Sequence, residues 1–175
     1  MDAAHFVFGA FLGYLWCFAR CWIKAPSGRQ RFNVLGALNA VTHEIITVTN
    51  LTDINSESVC QLLGKLVELG LQVPLTLVLD NARYQRCALV QAVAAWLGIE
   101  LLYLPAYSPH LNWIERRWKF VKKQCLYSKY YADFTAFTQA IEGCLANTRT
   151  THKQVLSSLL TFNFQSFKQA QSLAV

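Results

Sequence analysis

Three acidic side chains stand where carboxylates could do chemistry together. Asp80 closes the apolar run Leu75–Leu79, Glu115 borders the apolar stripe of a helical segment, and Asp2 opens the first extended run. Each has an ordinary reading on its own: Asp80 as the cap of a following helix, Glu115 as an acid favoured by the dipole at a helix start, Asp2 as a residue of no consequence. Asp80 gains interest because ligands gather at the carboxyl ends of strands in α/β sheets. Glu115 gains it from its place between Leu111 and Trp118, beside the buried face rather than opposite it. Between Asp80 and Glu115 lie 34 residues, and between Asp2 and Asp80 lie 77. Acids from a first strand, a later strand and a still later helix can meet at one edge of a sheet. Held together they repel one another unless divalent cations neutralise them, and hard oxygen ligands favour Mg²⁺ or Mn²⁺. Two such ions about 4 Å apart serve in-line phosphoryl transfer.

The elements that must position these acids are legible from patterning. Strand-like runs at Ala3–Gly9, Tyr14–Phe18 and Phe32–Leu38 predict an antiparallel three-strand meander, and Glu44–Thr49 is a fourth extended run that extends or pairs with it. Val59, Leu62, Leu63, Leu66 and Leu69 follow helical spacing behind an N-cap at Asn55 or Ser56, with Gly70 past the end. Leu75–Leu79 reads as a strand buried on both faces. A second helix should turn Leu89, Val93, Trp96 and Leu97 inward and stop at Gly98, before a buried strand at Ile99–Leu104. Ser108-Pro109 marks a helix start; Leu111, Ile114, Trp118, Val121 and Cys125 then repeat at helical spacing, and a further helix covers Phe134–Leu145. A meander followed by alternating helices and strands predicts an α/β fold, a mixed sheet flanked by helices.

The 175 residues fit one domain, with a core over about 1–148 and a less determined helical tail over 149–175. Hydrophobic residues at 54% exclude a disordered chain. Sixteen basic residues against ten acidic ones give a net charge of +6 and suit a polyanionic partner. Six cysteines in apolar runs without any CxxC pair read as reduced thiols of a cytosolic protein. The uncharged run Phe6–Ala19 is too short to span a membrane and lacks the features of a signal peptide; Gly9 and Gly13 make it two strands and a turn.

The segments Leu77-Val-Leu-Asp-Asn-Ala82, Leu104-Pro-Ala-Tyr-Ser-Pro-His-Leu-Asn112 and Ile114-Glu-Arg-Arg-Trp-Lys119, with the opening Asp2-Ala-Ala-His-Phe6, resemble the catalytic domain of mariner-type DDE transposases, in particular the bacterial insertion-sequence branch. The resemblance implies a ribonuclease H-like fold. It implies Asp2, Asp80 and Glu115 as the catalytic, metal-binding triad, holding two Mg²⁺ (or Mn²⁺) ions for DNA strand cleavage and strand transfer. The partners implied are DNA, both element ends and target, and a second copy of the chain, in a bacterial, nucleoid-associated cytoplasmic protein with no membrane association. Trp113 and Tyr84-Gln85 depart from the family pattern, where proline and a histidine often stand. Family members carry helix-turn-helix modules ahead of this domain. With the first acid at residue two, those modules are expected to be absent, or supplied by an upstream-frame product.

Basic residues fit the same expectation. Arg116, Arg117, Lys119, Lys122 and Lys123 lie in a stretch without acids, and a second cluster holds Arg29 and Arg31. Either is a solvated face by default; beside a carboxylate cluster they become phosphate contacts. Tyr107 and Ser108 precede Glu115 and are candidates for touching DNA, while His5 and His110 neighbour the acids and could support them. Trp16, Trp22 and Trp96 are expected in the core. The alternative reading is an inactive remnant, a nucleic-acid-binding or regulatory fragment.

Overall fold

A computed structural model of the chain describes residues 1–9, 16–20, 22, 30–105, 111–147 and 153–160. Its elements run β1 (Asp2–Val7), β2 (Arg31–Leu38), β3 (Ile45–Asn50), α1 (Ser56–Val67), β4 (Leu75–Leu79), α2 (Ala88–Trp96), β5 (Ile99–Tyr103), α3 (Ile114–Cys125), α4 (Phe134–Ala146) and α5 (Lys153–Leu159). β1, β2 and β3 form an antiparallel meander in that order, with Asp2 opposite Gly36 and Val7 opposite Arg31. The parallel pair β4–β5 is connected through α2. The Met1 amine donates to the Val78 carbonyl at 2.6 Å, joining the start of β1 to β4. Antiparallel and parallel parts thus belong to one mixed α/β arrangement, as expected.

Alternation along the strands sorts side chains onto two faces. Ala4, Phe6, Phe32 and Val34 point to one side and pack with Ile114, Trp118 and Val121 of α3, Phe137 and Ile141 of α4, and Leu156 of α5. Leu35, Ala37 and Val48 point to the other, where α1, α2, Leu77 and Leu79 build a second core. Local signals explain the helix starts. The Asn55 side chain accepts from Ser58 N–H at 3.0 Å and the Ser58 hydroxyl closes a capping box. Asp133 accepts from Ala136 N–H at 2.8 Å.

Several expectations need correction. The meander uses Glu44–Thr49 as its third strand; Trp16–Phe18 is not a strand, and the segment between β1 and β2 instead carries Trp16 and Phe18 fully exposed. Trp22 and Trp96 are exposed as well, so none of the three tryptophans assigned to the core is there. On α2 it is Val90 and Ala94 that are buried, while Leu89 faces out. β4 is covered on one face only among the described residues, with Val78 and Thr76 on the open side. The α3 helix begins at Ile114, and Ser108-Pro109, expected as a helix start, lies outside the described residues. Cys125 is buried, but Cys17 is exposed. α5 brings Leu156 and Leu160 into the core from a stretch whose short apolar pattern gave no clear period.

Candidate active site

Three elements bring the acids into one neighbourhood. Asp2 shares a strand face with Ala4 and Phe6, and so looks toward α3. Across the ladder its partner is Gly36. A Cβ on Gly36 would stand 2.9 Å from Cη2 and Cζ2 of Trp118, so the absence of a side chain there lets α3 lie on the sheet at that point. Glu115 precedes Trp118 by one turn. Its end of the helix is further held by the His43 ring, edge-on to Trp113 at 5.6 Å, and by Glu115 N–H donating to Asn112 C=O at 3.1 Å.

Asp80 follows β4 directly. One of its carboxylate oxygens accepts from Ala82 N–H at 3.1 Å, which fixes the turn. Asn81 ties this turn to the end of β5, its amide donating to the Leu104 carbonyl while its oxygen accepts from Arg86 Nη1 at 3.2 Å. Leu104 N–H in turn donates to Leu79 C=O at 2.8 Å. The aspartate-asparagine step therefore sets two things: the acid, and the position of the chain that leads toward α3.

Electrostatics report the convergence. Burial pushes the Asp2 carboxyl up from 3.8 to about 6, and the negative charges of Asp80 and Glu115 push it the same way, against the hydrogen bond it accepts from Ala3 N–H. Burial also raises Glu115; Lys119 and Lys122 oppose this and Asp80 adds to it. Tyr84 is raised by burial and by the charges of Asp80 and Asp2, so its phenol belongs to the same neighbourhood. The Met1 amine is lowered to about 6 by burial, in spite of Asp2 and Asp80.

The donor set is all carboxylate oxygen and mutually repelling, which suits a hard divalent cation in type. In spacing it is looser than a cage: among the described residues no three His, Cys, Asp or Glu side chains are gathered closely enough to hold a metal ion.

The cationic residues divide. Lys119 and Lys123 are exposed, Lys122 is half-buried, and Arg31 is exposed at the start of β2. Arg116 is half-buried and donates to the Leu159 carbonyl at 3.3 Å, on the wall of a groove of about 270 Å³ between α3 and α5. Arg117 was expected at a phosphate, but its residue is 0% exposed and its side chain points toward α4. Helical spacing places it there: it follows Ile114 by three residues and precedes Val121 by four. Arg29, Tyr107, Ser108 and His110 lie outside the described residues. His5 is on the face opposite Asp2, where its Nδ1 is 2.6 Å from Asn33 Oδ1, so it supports the sheet rather than the acids. The reading from sequence overlooked Gly36 and left the role of Asn81 unassigned. A glycine inside the strand pattern Phe32–Leu38 is a known sign of close approach and could have located α3.

The sequence profile of the DDE superfamily endonucleases matches residues 18–138, more than half of the chain. The chain belongs to this family. Asp80 and Glu115 fall inside the matched span of the DDE endonuclease, and Asp2 falls before it. Its fold is similar to that of solved transposase and integrase assemblies, which are ribonuclease H-like. They include the Mos1 transposase paired-end complex with left transposon end, at TM-score 0.58 and 12% identity over 94% of this chain and 55% of that one. The Mos1 strand transfer complex follows at 0.54 and 14%, over 92% and 54%. The simian T-cell lymphotropic virus intasome in complex with PP2A regulatory subunit B56 gamma gives 0.53 and 17%, over 97% and 57%. The chain spans a little over half the length of these solved chains. No curated protein sequence matches it. Among the described residues no helix is long and apolar enough to cross a membrane.

Proposed function

We propose that this DDE endonuclease domain is the catalytic domain of a mariner-like transposase of the bacterial insertion-sequence branch, cutting DNA at element ends and joining the freed ends to target DNA. The reading is supported by the DDE endonuclease match over residues 18–138 together with the placement of Asp2, Asp80 and Glu115 on β1, at the end of β4 and in the first turn of α3, in one neighbourhood where the charges of Asp80 and Glu115 act on Asp2. The three carboxylates would hold two Mg²⁺ or Mn²⁺ ions. Bound there, the ions would supply activation of a water or 3′-hydroxyl and charge stabilisation at the leaving oxygen.

The chain's own residues do the rest. Asn81 and the Ala82 N–H fix Asp80, and Gly36 and Trp118 fix the helix that presents Glu115. Lys119, Lys122 and Lys123, with Arg31 and Arg116, offer cations to phosphates of a strand lying across α3; Arg29, Tyr107 and Ser108 are proposed to join them. A second copy of the chain and a module that reads the element ends would complete the assembly, in the nucleoid of a bacterial cytoplasm.

The test is a plasmid-nicking assay of the purified chain in Mg²⁺ and in Mn²⁺, beside Asp80→Asn and Glu115→Gln. Metal-dependent nicking that both substitutions abolish supports the reading. Nicking retained in both variants refutes the triad. No nicking by any of the three, with metal-independent DNA binding intact, favours the inactive remnant. Two observations give that second reading its footing: the family match leaves Asp2 out, and the acids are not drawn into a cage.

A further inference from the structure

The packing of α3 on α4 brings two cysteines together away from the acids. Cys125, at the last turn of α3, is buried, and its Sγ donates to the Ala140 carbonyl at 3.6 Å. Ala140 lies one turn before Cys144 on α4. A helical side chain covers the turn N-terminal to its own Cα, so the Cys144 thiol stands over the spot that the Cys125 sulfur occupies. Cys144 packs against the same core that holds Cys125, so the two thiols are neighbours. Cys144 is half-buried and reachable from solvent, Cys125 is not, and the buried Arg117 guanidinium places its positive charge beside Cys144.

We propose that Cys144 and Cys125 are a redox-active pair, a modification site that joins α3 to α4 by a disulfide, with Cys144 as the attacking thiol and Cys125 as the resolving one. The neighbouring Cys125 thiol and the charge of Arg117 both lower the Cys144 thiol, against its burial, while the Cys144 neighbour and burial keep Cys125 protonated. With hydrogen peroxide as oxidant, the Cys144 thiolate takes one oxygen to become a sulfenic acid and releases hydroxide. The Cys125 thiol then attacks that sulfur. The S–S bond forms as the S–O bond breaks, and the oxygen leaves as water with the Cys125 proton. In sum, two thiols and one peroxide give one disulfide and two waters. The proposal is independent of the catalytic reading, since neither sulfur takes part in it.

A second neighbouring pair supplies the contrast. Cys60 and Cys87 also sense each other, but burial raises Cys60, Glu57 adds negative charge, and the Cys87 Sγ donates to the Tyr84 carbonyl at 3.4 Å. That setting disfavours a thiolate at Cys60.

The test uses the full chain carrying Cys17→Ser and Cys21→Ser, treated with stoichiometric peroxide, alkylated and digested with trypsin without reductant. The expected product links the Gln124–Lys129 peptide to the Tyr130–Arg149 peptide and disappears on reduction. Closing this loop should raise Tm by roughly 5–10 °C, reversibly. Cys125→Ala should leave Cys144 as a sulfenic acid that dimedone traps. Should that variant not fold, the peptide map decides alone. The proposal is overturned if Cys60 and Cys87 are linked as fast, or if Cys144 is over-oxidised without ever pairing.

Discussion

Replacing Asp2 by asparagine should make the metal-free protein more stable, which is the opposite of what removing a structural side chain does. Asp2 is raised from 3.8 to about 6, so its ionised form is disfavoured in the fold. Each pKa unit corresponds to about 1.4 kcal/mol, and two units to about 3 kcal/mol. Solvent relaxation around a partly accessible carboxylate reduces this, giving an expected gain of about 1–3 kcal/mol for Asp2→Asn at pH 7.5, or a Tm rise of roughly 3–8 °C. The sign follows from the direction of the shift. A group whose folded pKa is raised carries no penalty below its unfolded pKa. The penalty grows as pH climbs from about 4 to about 6 and is complete above that. The stabilisation should therefore be small at pH 4.5 and level off above pH 7. Asparagine keeps an oxygen that can accept from Ala3 N–H, so the comparison isolates charge. The assay is thermal unfolding in a chelating buffer from pH 4.5 to 8, followed by the same melts in Mn²⁺. Metal at 100 times its dissociation constant should stabilise the wild type by about 2.7 kcal/mol and Asp2→Asn by much less. An Asp2→Asn gain that is absent, or equal at both ends of the pH range, would mean that the Asp2 carboxyl is neither buried nor beside other negative charge, as burial first and Asp80 and Glu115 second require.

Gly36→Ala puts a methyl 2.9 Å from the Trp118 ring and 3.1 Å from Ile45 Cδ1, and should cost about 1–3 kcal/mol by lifting α3; unchanged urea unfolding would show that the helix is not seated there. Asn33→Ala removes a buried amide that donates to Asn50 and to the Thr52 carbonyl at 2.6 Å, with an expected loss of about 1–3 kcal/mol and no change in metal response. Asn55→Ala deletes the α1 cap for about 1 kcal/mol, read from the denaturation midpoint. In DNA binding followed against salt, Lys119→Ala and Lys123→Ala should each flatten the log–log slope by up to about 0.9, whereas Arg117→Leu should leave the slope alone and act on stability. An equal slope change from Arg117→Leu would contradict its burial.

What patterning made legible were the elements with a strong period or a sharp terminus. Val59, Leu62, Leu63 and Leu66 of the α1 stripe, the Asn55 cap and Gly70 at φ 61 appear where spacing put them, and so does α4, whereas Leu69 lies past the helix and is exposed. The failures share a cause: apolar character was taken as burial. Trp16, Trp22 and Trp96 are large and apolar, yet exposed. Trp16–Phe18, the described part of the run Tyr14–Phe18, has the composition of a strand and is not one, and β2 takes the place beside β1. Of the site, the acids and the Asp80-Asn81 step could be picked out, since residue type and spacing carried them. Their approach at one sheet edge was legible as well; how α3 is seated was not, because it depends on Trp118 crossing Gly36, a contact between segments 82 positions apart. Arg117 shows the same limit in reverse. Its charge argued for the surface, and only the rotation of α3 puts it on the α4 side.

The way the acids are carried also says what must hold for the site to work. Asp2 belongs to the meander, Glu115 to the helix packed on that meander, and Asp80 to the parallel pair. Asp2 and Glu115 therefore move as one body with the core that unites β1, β2 and α3. Asp80 is referred to them across a seam, spanned by the bond from Met1 to Val78 and by the second core, which unites Leu35 and Val48 of the meander, Leu62 and Leu63 of α1, and Leu77 and Leu79 of β4. One hydrogen bond at the edge contributes about 1 kcal/mol, so most of the alignment falls to that core. Truncation of Leu62 or Leu63, which are fully buried in that core and touch none of the acids, should then loosen Asp80 against Asp2. It should also weaken metal binding beyond what the loss of global stability explains.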